Sequence, residues 1–403
     1  MMINIVEINS TNYASTGNIM NNIAFNIDSD DYKVYTACKN SKESRKHLKD
    51  NQILFGIPFE RVLTSYLTHI TGLRDHFNYL GTYLFIKKLK KINPNLIHLH
   101  VLHDDFINIK MLFKYIKTNN IPVIWTFHDC SAMTGQCPYF DMVNCDKWID
   151  GCYDCPQIHG DVDSLFFDTS KYIWIYRKKI FTSLNDLTIV TPSKWLSSLV
   201  KKSFFRYYDV KVINNGINLS TFKYRDNSFK KDYSIDNKYL VLGIANVWSK
   251  RKGLDVFVEL AKGLPNNYQI VLVGTNDEID KVLPSNIISI HRTYNQEELV
   301  NIYSSADVFV NPTREENFPT VNIESLACGT PVITFKTGGS PEILDKTCGI
   351  VVEKDDIESM KKSIIKVCEE KPFNIEDCIK RSKLYDCNTK FKEYIELYKD
   401  KAK

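Results

Sequence analysis

Short runs of apolar residues recur along the chain and alternate with longer stretches that have helical patterning. An unbroken apolar run of this kind is typical of a strand that a parallel sheet buries on both faces. The first half contains the runs INIVEIN, KVYTAC, NLIHLHV, PVIWTFHD, LTIVTPS and VKVINNG, and the second half contains YLVLGIAN, QIVLVG, IISIH, DVFVNP, PVITF and GIVV. Because helical stretches separate the runs, the pattern predicts two doubly wound α/β domains.

A polar segment without clear periodicity separates the two sets of runs. It comprises residues 217–236, INLSTFKYRDNSFKKDYSID. Such a segment is typical of a connection between domains. We therefore predict a first domain over residues 1–216, a linker over residues 217–236 and a second domain over residues 237–387.

The composition is that of a globular protein with ordinary cores. Apolar residues make up 43% of the 403 residues, charged residues 25%, and the net charge is +4. So mild a positive charge does not by itself indicate a nucleic-acid partner. The N-terminus, MMINIVEINS, has no basic segment followed by a long apolar run, and no stretch approaches the ~20 apolar residues that span a bilayer. We therefore expect a cytoplasmic protein that binds no nucleic acid.

Two glutamates flank the predicted start of a helix in REENFPTVNIESLACGTPVITF, residues 314–335. Glu316 lies in the loop after the strand DVFVNP, and Glu324 lies about one turn into the helix that Pro319 and Thr320 are suited to begin. Ligands of doubly wound domains bind beyond the carboxyl ends of the strands, and a helix N-terminus favours a phosphate. A carboxylate beside a phosphate is favourable where it accepts sugar hydroxyls, so the pattern indicates a nucleotide sugar. The alternative is a pair of exposed surface glutamates.

The residues around these glutamates resemble one enzyme family. The combination E-N-F-P-x-x-x-x-E-S-L-A-C-G-T-P-V-I, then T-G-G-S-P-E-I, is similar to the nucleotide-binding half of retaining GT-B-fold glycosyltransferases of the family 4 type. STGNI, IHLH, TFHD, PSKWL, INNGIN, KRKGLD and YSSADVFVNPT match in the same order, so the resemblance runs from about Ile3 to Val352. It implies two facing Rossmann-like domains with an interdomain cleft, and a last helix, residues 388–403, that crosses back to the first domain. The amphipathic pattern of that segment fits such a helix, since its apolar positions are Phe391, Tyr394, Ile395 and Tyr398.

The resemblance also assigns roles to residues of the second domain. It implies that Glu324 binds the ribose hydroxyls, that Glu316 contacts the donor sugar, and that Lys252 of R-K-G pairs with the phosphates. A lysine after the strand YLVLGIAN also suits a leaving diphosphate, because it supplies a point charge. The family commonly has an arginine six residues before this lysine, where the chain has Asn246. Either Lys250 or Arg251 takes its place, or donor binding is weaker. The implied donor-binding set is Asn246, Arg251, Lys252, Asn317, Phe318, Pro319, Thr320, Val321 and Glu324, with Gly17 of the first domain, whose missing side chain lets backbone approach the ligand.

Histidines lie at and beyond the ends of strands in the first domain. His128 and Asp129 end PVIWTFHD, and the resemblance implies that His128 contacts the transferred sugar. A lone histidine at a strand end is otherwise more often structural, and Asp129 is expected to orient the imidazole or a loop. His98, His100 and His103 of IHLHVLH alternate along and beyond a strand, a spacing that hints at a metal. We favour packing and acceptor-site roles for them.

Five of the eleven cysteines fall in a loop-rich insert, residues 130–156. Cys137, Cys145, Cys152 and Cys155 are spaced C-x7-C-x6-C-x2-C, and the terminal pair is the one expected of a tetrahedral thiolate site. The insert predicts a structural zinc that orders the loop, with free structural thiols or a redox pair as alternatives. A similar insert occurs in the capsule and exopolysaccharide branch of the family, which implies a scaffold on the acceptor side.

Two segments are candidates for a membrane surface. Residues 61–92 combine leucines and aromatics with a terminal KKLKK, and residues 202–208 read KSFFRYY. A basic surface with an apolar face binds anionic membranes, each basic side chain contributing ~1 kcal/mol. Helix packing with a solvated lysine end is the alternative for the first segment. The family resemblance favours a membrane-side acceptor, since bacterial polysaccharides are assembled on polyprenyl lipids.

The sequence therefore predicts a retaining glycosyltransferase that moves a sugar from a nucleotide sugar, expected to be UDP-linked, to a saccharide or lipid-linked saccharide. His128 and Glu316 are the candidate catalytic residues. No metal-binding D-x-D is evident, so no catalytic divalent ion is expected. A sugar-nucleotide epimerase, a phosphorylase, or an inactive nucleotide-sugar-binding subunit on the same fold are the alternatives, and the last is kept open by Asn246. The protein is expected at the inner face of the membrane or free in the cytoplasm.

Overall fold

The computed structural model describes residues 2–27, 31–160 and 164–402, which form two compact units. Unit 1 comprises Met1–Ile213 together with Phe391–Lys403, and unit 2 comprises Asn214–Lys390. Within the described ranges, no helix is both long enough and apolar enough to cross a bilayer.

Unit 1 is built on a parallel sheet covered by helices. Its strands are β1 (Ile3–Ile8), β2 (Tyr32–Lys39), β3 (Gln52–Phe55), β4 (Leu96–Leu99), β5 (Val123–Thr126), β6 (Leu187–Thr191) and β7 (Asp209–Val212). Its helices are α1 (Ala14–Ile27), α2 (Lys42–Lys46), α3 (Pro58–Thr71), α4 (Tyr79–Ile92), α5 (Ile109–Thr118), α6 (Ser170–Phe181) and α7 (Lys194–Val200). The strand order is β3-β2-β1-β4-β5-β6-β7, so the winding reverses between β1 and β4, where doubly wound folds place their ligands.

The six strands predicted for the first half of the chain are present, and one further strand, β3, was not predicted. It has four residues, QILF, and lies at the edge of the sheet beside β2. Three of its residues are only partly buried, so it lacks the strong apolar signature of the central strands. The segment 202–208 also differs from its prediction as a membrane surface, because Phe204 and Phe205 are buried in the core of unit 1.

Unit 2 repeats the same architecture. Its strands are β8 (Tyr239–Ile244), β9 (Tyr268–Val273), β10 (Ile287–Ile290), β11 (Val308–Asn311), β12 (Val332–Phe335) and β13 (Gly349–Val352). The helices that follow along the chain are α8 (Phe229–Asp232), α9 (Leu254–Gly263), α10 (Asp277–Asp280), α11 (Gln296–Ser305), α12 (Thr320–Ala327), α13 (Ser340–Ile343), α14 (Ile357–Glu370), α15 (Ile375–Ser382) and α16 (Cys387–Lys401). The sheet is parallel in the order β10-β9-β8-β11-β12-β13, with an apolar core on each face.

The segment predicted as a linker belongs to unit 2. Ile217, Phe222, Phe229 and Ile235 are all buried in one of its apolar cores, so residues 217–236 pack against the sheet. Helix α16 starts in unit 2, and its residues from Phe391 onward belong to unit 1. Lys403, the last residue of the segment 388–403 predicted to form this helix, lies outside the described residues.

Candidate functional site

The carboxyl ends of the unit 2 strands bring Lys252 and Glu316 together. Lys252 follows β8 in the loop before α9, and Glu316 follows β11 in the loop before α12. The Lys252 Nζ atom lies 2.6 Å from Glu316 Oε2, and both side chains are partly exposed. The backbone N–H of Asn317 donates to the other carboxylate oxygen at 3.2 Å. A cation and a carboxylate thus face each other beside the start of α12.

Hydrogen bonds lace the two loops together. The backbone N–H of Arg314 donates to the carbonyl of Arg251 at 2.8 Å, and the Arg251 guanidinium donates to the carbonyl of Glu315 at 3.2 Å. The buried Arg314 side chain forms a bidentate pair with Asp255 at 2.8 and 2.9 Å, and bonds Asp355 and the carbonyl of Lys250 as well. Arg314 therefore fixes the segment that carries Lys252.

Two glycines allow the loops to approach so closely. Gly338, in the loop after β12, has φ +53°, and a Cβ atom there would lie 1.6 Å from the carbonyl oxygen of Glu316. Gly253 has φ +76°, and its Cβ would lie 2.5 Å from the carbonyl oxygen of Pro312. Only glycine tolerates both the left-handed backbone and these contacts. The T-G-G and R-K-G motifs therefore have a packing reason in this fold.

Glu324 lies in α12 and is held by a residue that the sequence analysis did not single out. The hydroxyl of Tyr303, on α11, donates to Glu324 Oε2 at 3.1 Å. Burial raises the pKa of Glu324, and hydrogen bonds from Tyr303 and Thr320 partly offset that rise. Tyr303 is itself fully buried, so it holds the carboxylate in one rotamer. The only advance signal was YSSADVFVNPT, in which Tyr303 is the first residue.

Five of the remaining predicted donor residues lie at the start of α12, whereas Asn246 and Arg251 follow β8 and Gly17 lies in unit 1. Pro319 precedes the helix with extended backbone, Thr320 begins it, and Phe318 is buried against Tyr385 with ring centroids 5.6 Å apart. Asn317 and Val321 flank the same turn. Asn246 is exposed in the loop after β8, and Arg251 is engaged with the backbone of the Glu316 loop.

In unit 1, His128 belongs to a hydrogen-bonded series of polar side chains. Its Nε2 atom lies 3.0 Å from Nδ1 of His100, whose Nε2 atom lies 3.2 Å from Glu7 Oε2. The hydroxyl of Tyr398, on α16, donates to Glu7 Oε1 at 3.0 Å. Apart from the partly exposed His128, these side chains are buried.

The hydrogen-bonded series continues from Tyr398 through His98 to the hydroxyl groups of Thr126 and Tyr394. His98 Nδ1 contacts the Tyr398 hydroxyl, and His98 Nε2 lies 2.8 Å from Thr126 Oγ1. Thr126 Oγ1 in turn lies 3.3 Å from the Tyr394 hydroxyl. His98 therefore has a polar partner at both ring nitrogens, which agrees with the structural role favoured for it.

Burial keeps the three hydrogen-bonded histidines, His98, His100 and His128, neutral. It lowers the pKa of His100 to about 3 and that of His128 to about 3, and it lowers the pKa of His98 far below the ordinary value. Burial likewise raises the pKa of Glu7 well above its ordinary value, against a hydrogen bond from Tyr398 that lowers it. With no cation among these partners, the stable state has no net charge.

His103 and Asp129 form a separate, charged cluster. Although burial lowers the pKa of His103, Asp129 and Asp104 raise it to about 10, so the imidazole is a cation. Its Nε2 atom lies 3.0 Å from Asp129, and its Nδ1 atom lies 3.2 Å from Asp104, which also pairs with Lys39. Asp129 accepts the backbone N–H of Ser131 at 2.8 Å as well. Asp129 therefore holds a loop and orients His103.

Gly17 has a packing role that the sequence did not reveal. It lies in α1, and a Cβ atom there would lie 2.7 Å from the backbone carbon of Asn12 and 3.0 Å from the carbonyl oxygen of Thr11. The missing side chain lets α1 sit against the turn that leads into it. Its proposed approach to a ligand remains a prediction.

Four of the five cysteines of the insert, Cys137, Cys145, Cys152 and Cys155, line one small cavity together with Phe140 and Trp148. All four are free thiols, and burial and the neighbouring thiols raise the pKa of Cys152 to about 12. Among the described residues, the groups whose ligand atoms all lie within 4.8 Å of one another are Glu7 with His98 and His100, and Asp277 with Asp280 and His291. The thiols are therefore neighbours but are not closed into a tetrahedral set, and the zinc prediction gains no support.

Part of the second half of the chain matches a known protein family. Residues 225–384 match the family described as Glycosyl transferases group 1. These residues include both loops described above, α12, and the Glu316 and Glu324 side chains.

Two curated relatives show how far the similarity extends. A protein of Escherichia coli (strain K12), named as a colanic acid biosynthesis glycosyl transferase (WcaC), is 23% identical over 341 residues, which are 80% of each chain. A Campylobacter jejuni protein named as an N,N'-diacetylbacillosaminyl-diphospho-undecaprenol alpha-1,3-N-acetylgalactosaminyltransferase is 26% identical over 197 residues. That alignment covers 45% of this chain and 52% of the relative.

Solved structures share the fold over nearly the whole chain. Sucrose-phosphate synthase from Thermosynechococcus elongatus has a TM-score of 0.75 at 16% identity, and the match covers 99% of this chain and 98% of that one. Anabaena HepE, solved in complex with UDP, has a TM-score of 0.69 at 13% identity and covers 99% and 100% of the two chains. With the two parallel sheets, these matches confirm the predicted GT-B fold class.

Proposed function

On the premise that this chain carries a Glycosyl transferases group 1 domain, we propose that it transfers a sugar from UDP to a saccharide acceptor in polysaccharide synthesis, with retention of configuration. The observation that carries the proposal is the placement of Lys252, Glu316 and Glu324 around the start of α12. These are the groups that a diphosphate, a sugar and a ribose require. The relative named for colanic acid biosynthesis supports the polysaccharide context.

The donor is proposed to bind in unit 2. The free N–H groups at the start of α12 and the Lys252 ammonium stabilise the charge that develops on the leaving diphosphate. Glu324, oriented by Tyr303, accepts the ribose hydroxyls, and Glu316 accepts hydroxyls of the sugar. UDP is proposed as the carrier because HepE was solved with UDP and with UDP-glucose.

His128 is proposed to contact the transferred sugar. Because its pKa is low, it is neutral at physiological pH and acts as a hydrogen-bonding group rather than as a cation. The sugar is positioned by hydrogen bonds, and alignment of this kind lowers a barrier by several kcal/mol, within the ~7–11 kcal/mol available to positioning. No protein nucleophile is required by this scheme.

The acceptor is proposed to be lipid-linked, and a surface of unit 1 supports that proposal. Helix α3 buries Thr64 and Thr68 but leaves the apolar side chains of Phe59, Val62, Leu63 and Tyr66 exposed, at 80% for Phe59. A soluble helix normally does the reverse. The apolar face of α3 is thus directed outward in unit 1, as for a helix that meets lipid.

Helix α4 continues this surface. Glu60 of α3 accepts the backbone N–H groups of Leu80 and Gly81 at 2.9 and 2.7 Å, which joins the starts of the two helices. The exposed side chains of α4 comprise an apolar group followed by a basic one: Tyr79, Leu80, Tyr83 and Leu84, then Lys87, Lys88, Lys90 and Lys91. We propose that this surface docks on anionic lipid at the membrane. A relative named for an undecaprenol-linked acceptor supports the same assignment.

Transfer from labelled UDP-sugars to polyprenyl-diphosphate saccharides tests the function. We expect transfer by the wild-type protein and at least a ~10-fold weaker affinity for UDP in Glu324→Gln, since a carboxylate–hydroxyl contact is worth ~1.5–3 kcal/mol. Incubation with the UDP-sugar alone distinguishes an epimerase, which would change the sugar without an acceptor. Undiminished UDP affinity in Glu324→Gln would contradict the proposed donor site.

Sedimentation with anionic vesicles tests the membrane surface. We expect the wild-type protein to bind phosphatidylglycerol vesicles at low salt, and the double variant Phe59→Ser/Tyr66→Ser to bind at least ~10-fold more weakly. The control is Phe25→Ser, because Phe25 is 83% exposed on α1, outside this surface. Equal binding by all three proteins would exclude α3 as the docking element.

A further inference from the structure

Glu7 is a buried carboxyl group that is connected to His128 by hydrogen bonds through His100. The proposed donor and acceptor sites assign it no role. Glu7 lies in β1, an interior strand of the sheet, opposite His98 of β4, and has no exposed surface. Two of its contacts matter here: the Tyr398 hydroxyl at Oε1 and the His100 ring at Oε2. Such a group in an apolar strand costs stability unless it is hydrogen-bonded throughout.

We propose that Glu7 is a neutral carboxylic acid that donates a hydrogen bond to His100 and thereby fixes the tautomer of His128, with the His128 proton on Nδ1. Glu7 and His100 are positioning residues in this account, because neither meets the sugar. The catalytic consequence rests on the role proposed for His128, whereas the tautomer itself does not.

The direction of the hydrogen bonds follows from Tyr398. Its hydroxyl proton is donated to Glu7 Oε1, so the contact between Tyr398 and His98 must use the N–H at His98 Nδ1. His98 Nε2 is then an acceptor, and Thr126 donates to it. The hydrogen bonds among Tyr398, His98 and Thr126 therefore have one consistent arrangement of protons. The positions of the protons on His100 and His128 depend on whether Glu7 Oε2 carries a proton.

Two arrangements exist on the His100 side. An ionised Glu7 accepts from Nε2 of His100, which leaves His100 Nδ1 as an acceptor and requires a proton on Nε2 of His128. A neutral Glu7 donates to Nε2 of His100, so His100 Nδ1 donates and His128 Nε2 accepts. The protonation of Glu7 therefore selects the tautomer of His128, two hydrogen bonds away.

Burial favours the neutral arrangement. The side chains that touch Glu7 through polar atoms, His100 and Tyr398, carry no positive charge, and His98 behind Tyr398 is neutral too. The charged His103–Asp129 pair acts on His128 from the outer side with opposing signs. An isolated carboxylate in this setting would pay a desolvation cost that no cation offsets.

The three groups also lie close enough to offer ligand atoms to a cation. However, His98 Nδ1, His100 Nε2 and both oxygens of Glu7 already have hydrogen-bonding partners. Hydrogen bonds therefore account for the cluster without a metal. One equivalent of tightly bound metal that is lost in His98→Gln would overturn this account.

Nitrogen NMR of histidine-labelled full-length protein tests the proposal without substrate. Protonated and unprotonated ring nitrogens have well-separated ¹⁵N shifts, and His128→Gln assigns the relevant pair of signals. We expect a neutral His128 with the proton on Nδ1 in the wild type. A proton on Nε2 would overturn the proposal, whether or not the protein transfers sugar.

Glu7→Gln is the decisive variant, because glutamine reproduces a neutral carboxylic acid. Its amide donates to His100 and its carbonyl accepts from Tyr398, so we expect an unchanged His128 tautomer and a kcat within about 3-fold of wild type. If Glu7 were ionised, the same change would move the His128 proton from Nε2 to Nδ1.

Glu7→Leu removes the donor, and we expect a mixture of His128 tautomers with kcat lowered about 10-fold at unchanged KM. Tyr394→Phe is the control on the same helix. It removes the hydroxyl that contacts Thr126 but leaves the contacts of Glu7 intact, so its His128 signals should match the wild type. A single unchanged tautomer in a folded Glu7→Leu would overturn the proposal, and if that variant does not fold, the Glu7→Gln spectrum decides.

Discussion

Because of the ion pair between Lys252 and Glu316, we predict that one substitution changes the affinities for UDP and for UDP-glucose in opposite directions. In the ligand-free protein the Lys252 ammonium is engaged by the Glu316 carboxylate at 2.6 Å. A diphosphate must therefore compete with Glu316 for the ammonium. We expect Glu316→Gln to strengthen the binding of UDP, which lacks the transferred sugar, and to weaken the binding of UDP-glucose, whose glucose hydroxyls lose a carboxylate partner.

The magnitudes follow from exposure and charge. The Lys252 and Glu316 side chains are 24% and 14% exposed, so solvent screens the pair and its contribution is about 1 kcal/mol. Releasing the lysine should tighten UDP binding about 5-fold. A hydrogen bond between a carboxylate and a hydroxyl contributes ~1.5–3 kcal/mol, so the preference for UDP-glucose over UDP should fall about 10- to 150-fold.

Titration calorimetry with UDP and with UDP-glucose measures both effects. The matched control is Glu353→Gln, because Glu353 forms the same kind of pair with Lys336 at 2.8 Å but both side chains are largely exposed. We expect that control to bind both ligands as the wild type does. Equal weakening of UDP and UDP-glucose in Glu316→Gln would refute the competition between carboxylate and diphosphate.

Three further predictions concern other parts of the molecule. Gly338→Ala places a Cβ against the carbonyl of Glu316 in left-handed backbone, so we expect a loss of more than ~1 kcal/mol in denaturant unfolding and weaker UDP-glucose binding; unchanged stability would contradict the contact. The raised pKa of Glu7 and the pKa of about 3 of His100 have opposing effects between about pH 6.5 and 4.5, where the folded chain keeps a proton on Glu7 and the unfolded chain gains one on His100. On acidification over that range, Glu7→Gln should lose ~1.4 kcal/mol more unfolding free energy per pH unit than the wild type, and parallel curves would contradict a neutral Glu7. If the cysteines of the insert close around zinc, the purified protein carries one equivalent that Cys152→Ser removes, and folded protein without zinc would contradict that prediction.

The fold was predictable because interior strands of parallel sheets are unbroken apolar runs in the sequence. In unit 2 each of the six predicted runs is a strand, and the unbroken apolar run QIVLVG corresponds to β9. The strand that escaped prediction, β3, is an edge strand with one fully buried residue, Phe55. An edge strand needs little apolar surface, so the pattern that identifies its neighbours is missing from it.

The sequence predicted the site residues that are proposed to contact the ligand, but not the residues that hold them in place. Glu316, Glu324 and Lys252 are marked by their spacing and by the resemblance. Tyr303 and Arg314 lie within the motif stretches, but neither the spacing nor the resemblance assigns them a role, because one is a helical tyrosine and the other a loop arginine. Their functions depend on which loops the sheet brings together, and only the fold supplies that information.

Glu7 and Tyr398 show where pattern and chemistry diverge within a single unit. The apolar spacing of the last helix correctly predicts that Tyr394 and Tyr398 are buried, but spacing counts a tyrosine as apolar and says nothing about its hydroxyl. The partner of the Tyr398 hydroxyl is 391 residues away, at Glu7. A signal was nevertheless present in INIVEIN, since a glutamate inside an otherwise apolar buried strand must be either paired or neutral. Because its polar neighbours are a tyrosine and a neutral histidine, neutrality is the physically consistent choice, and the first strand and the last helix together control the proton on His128.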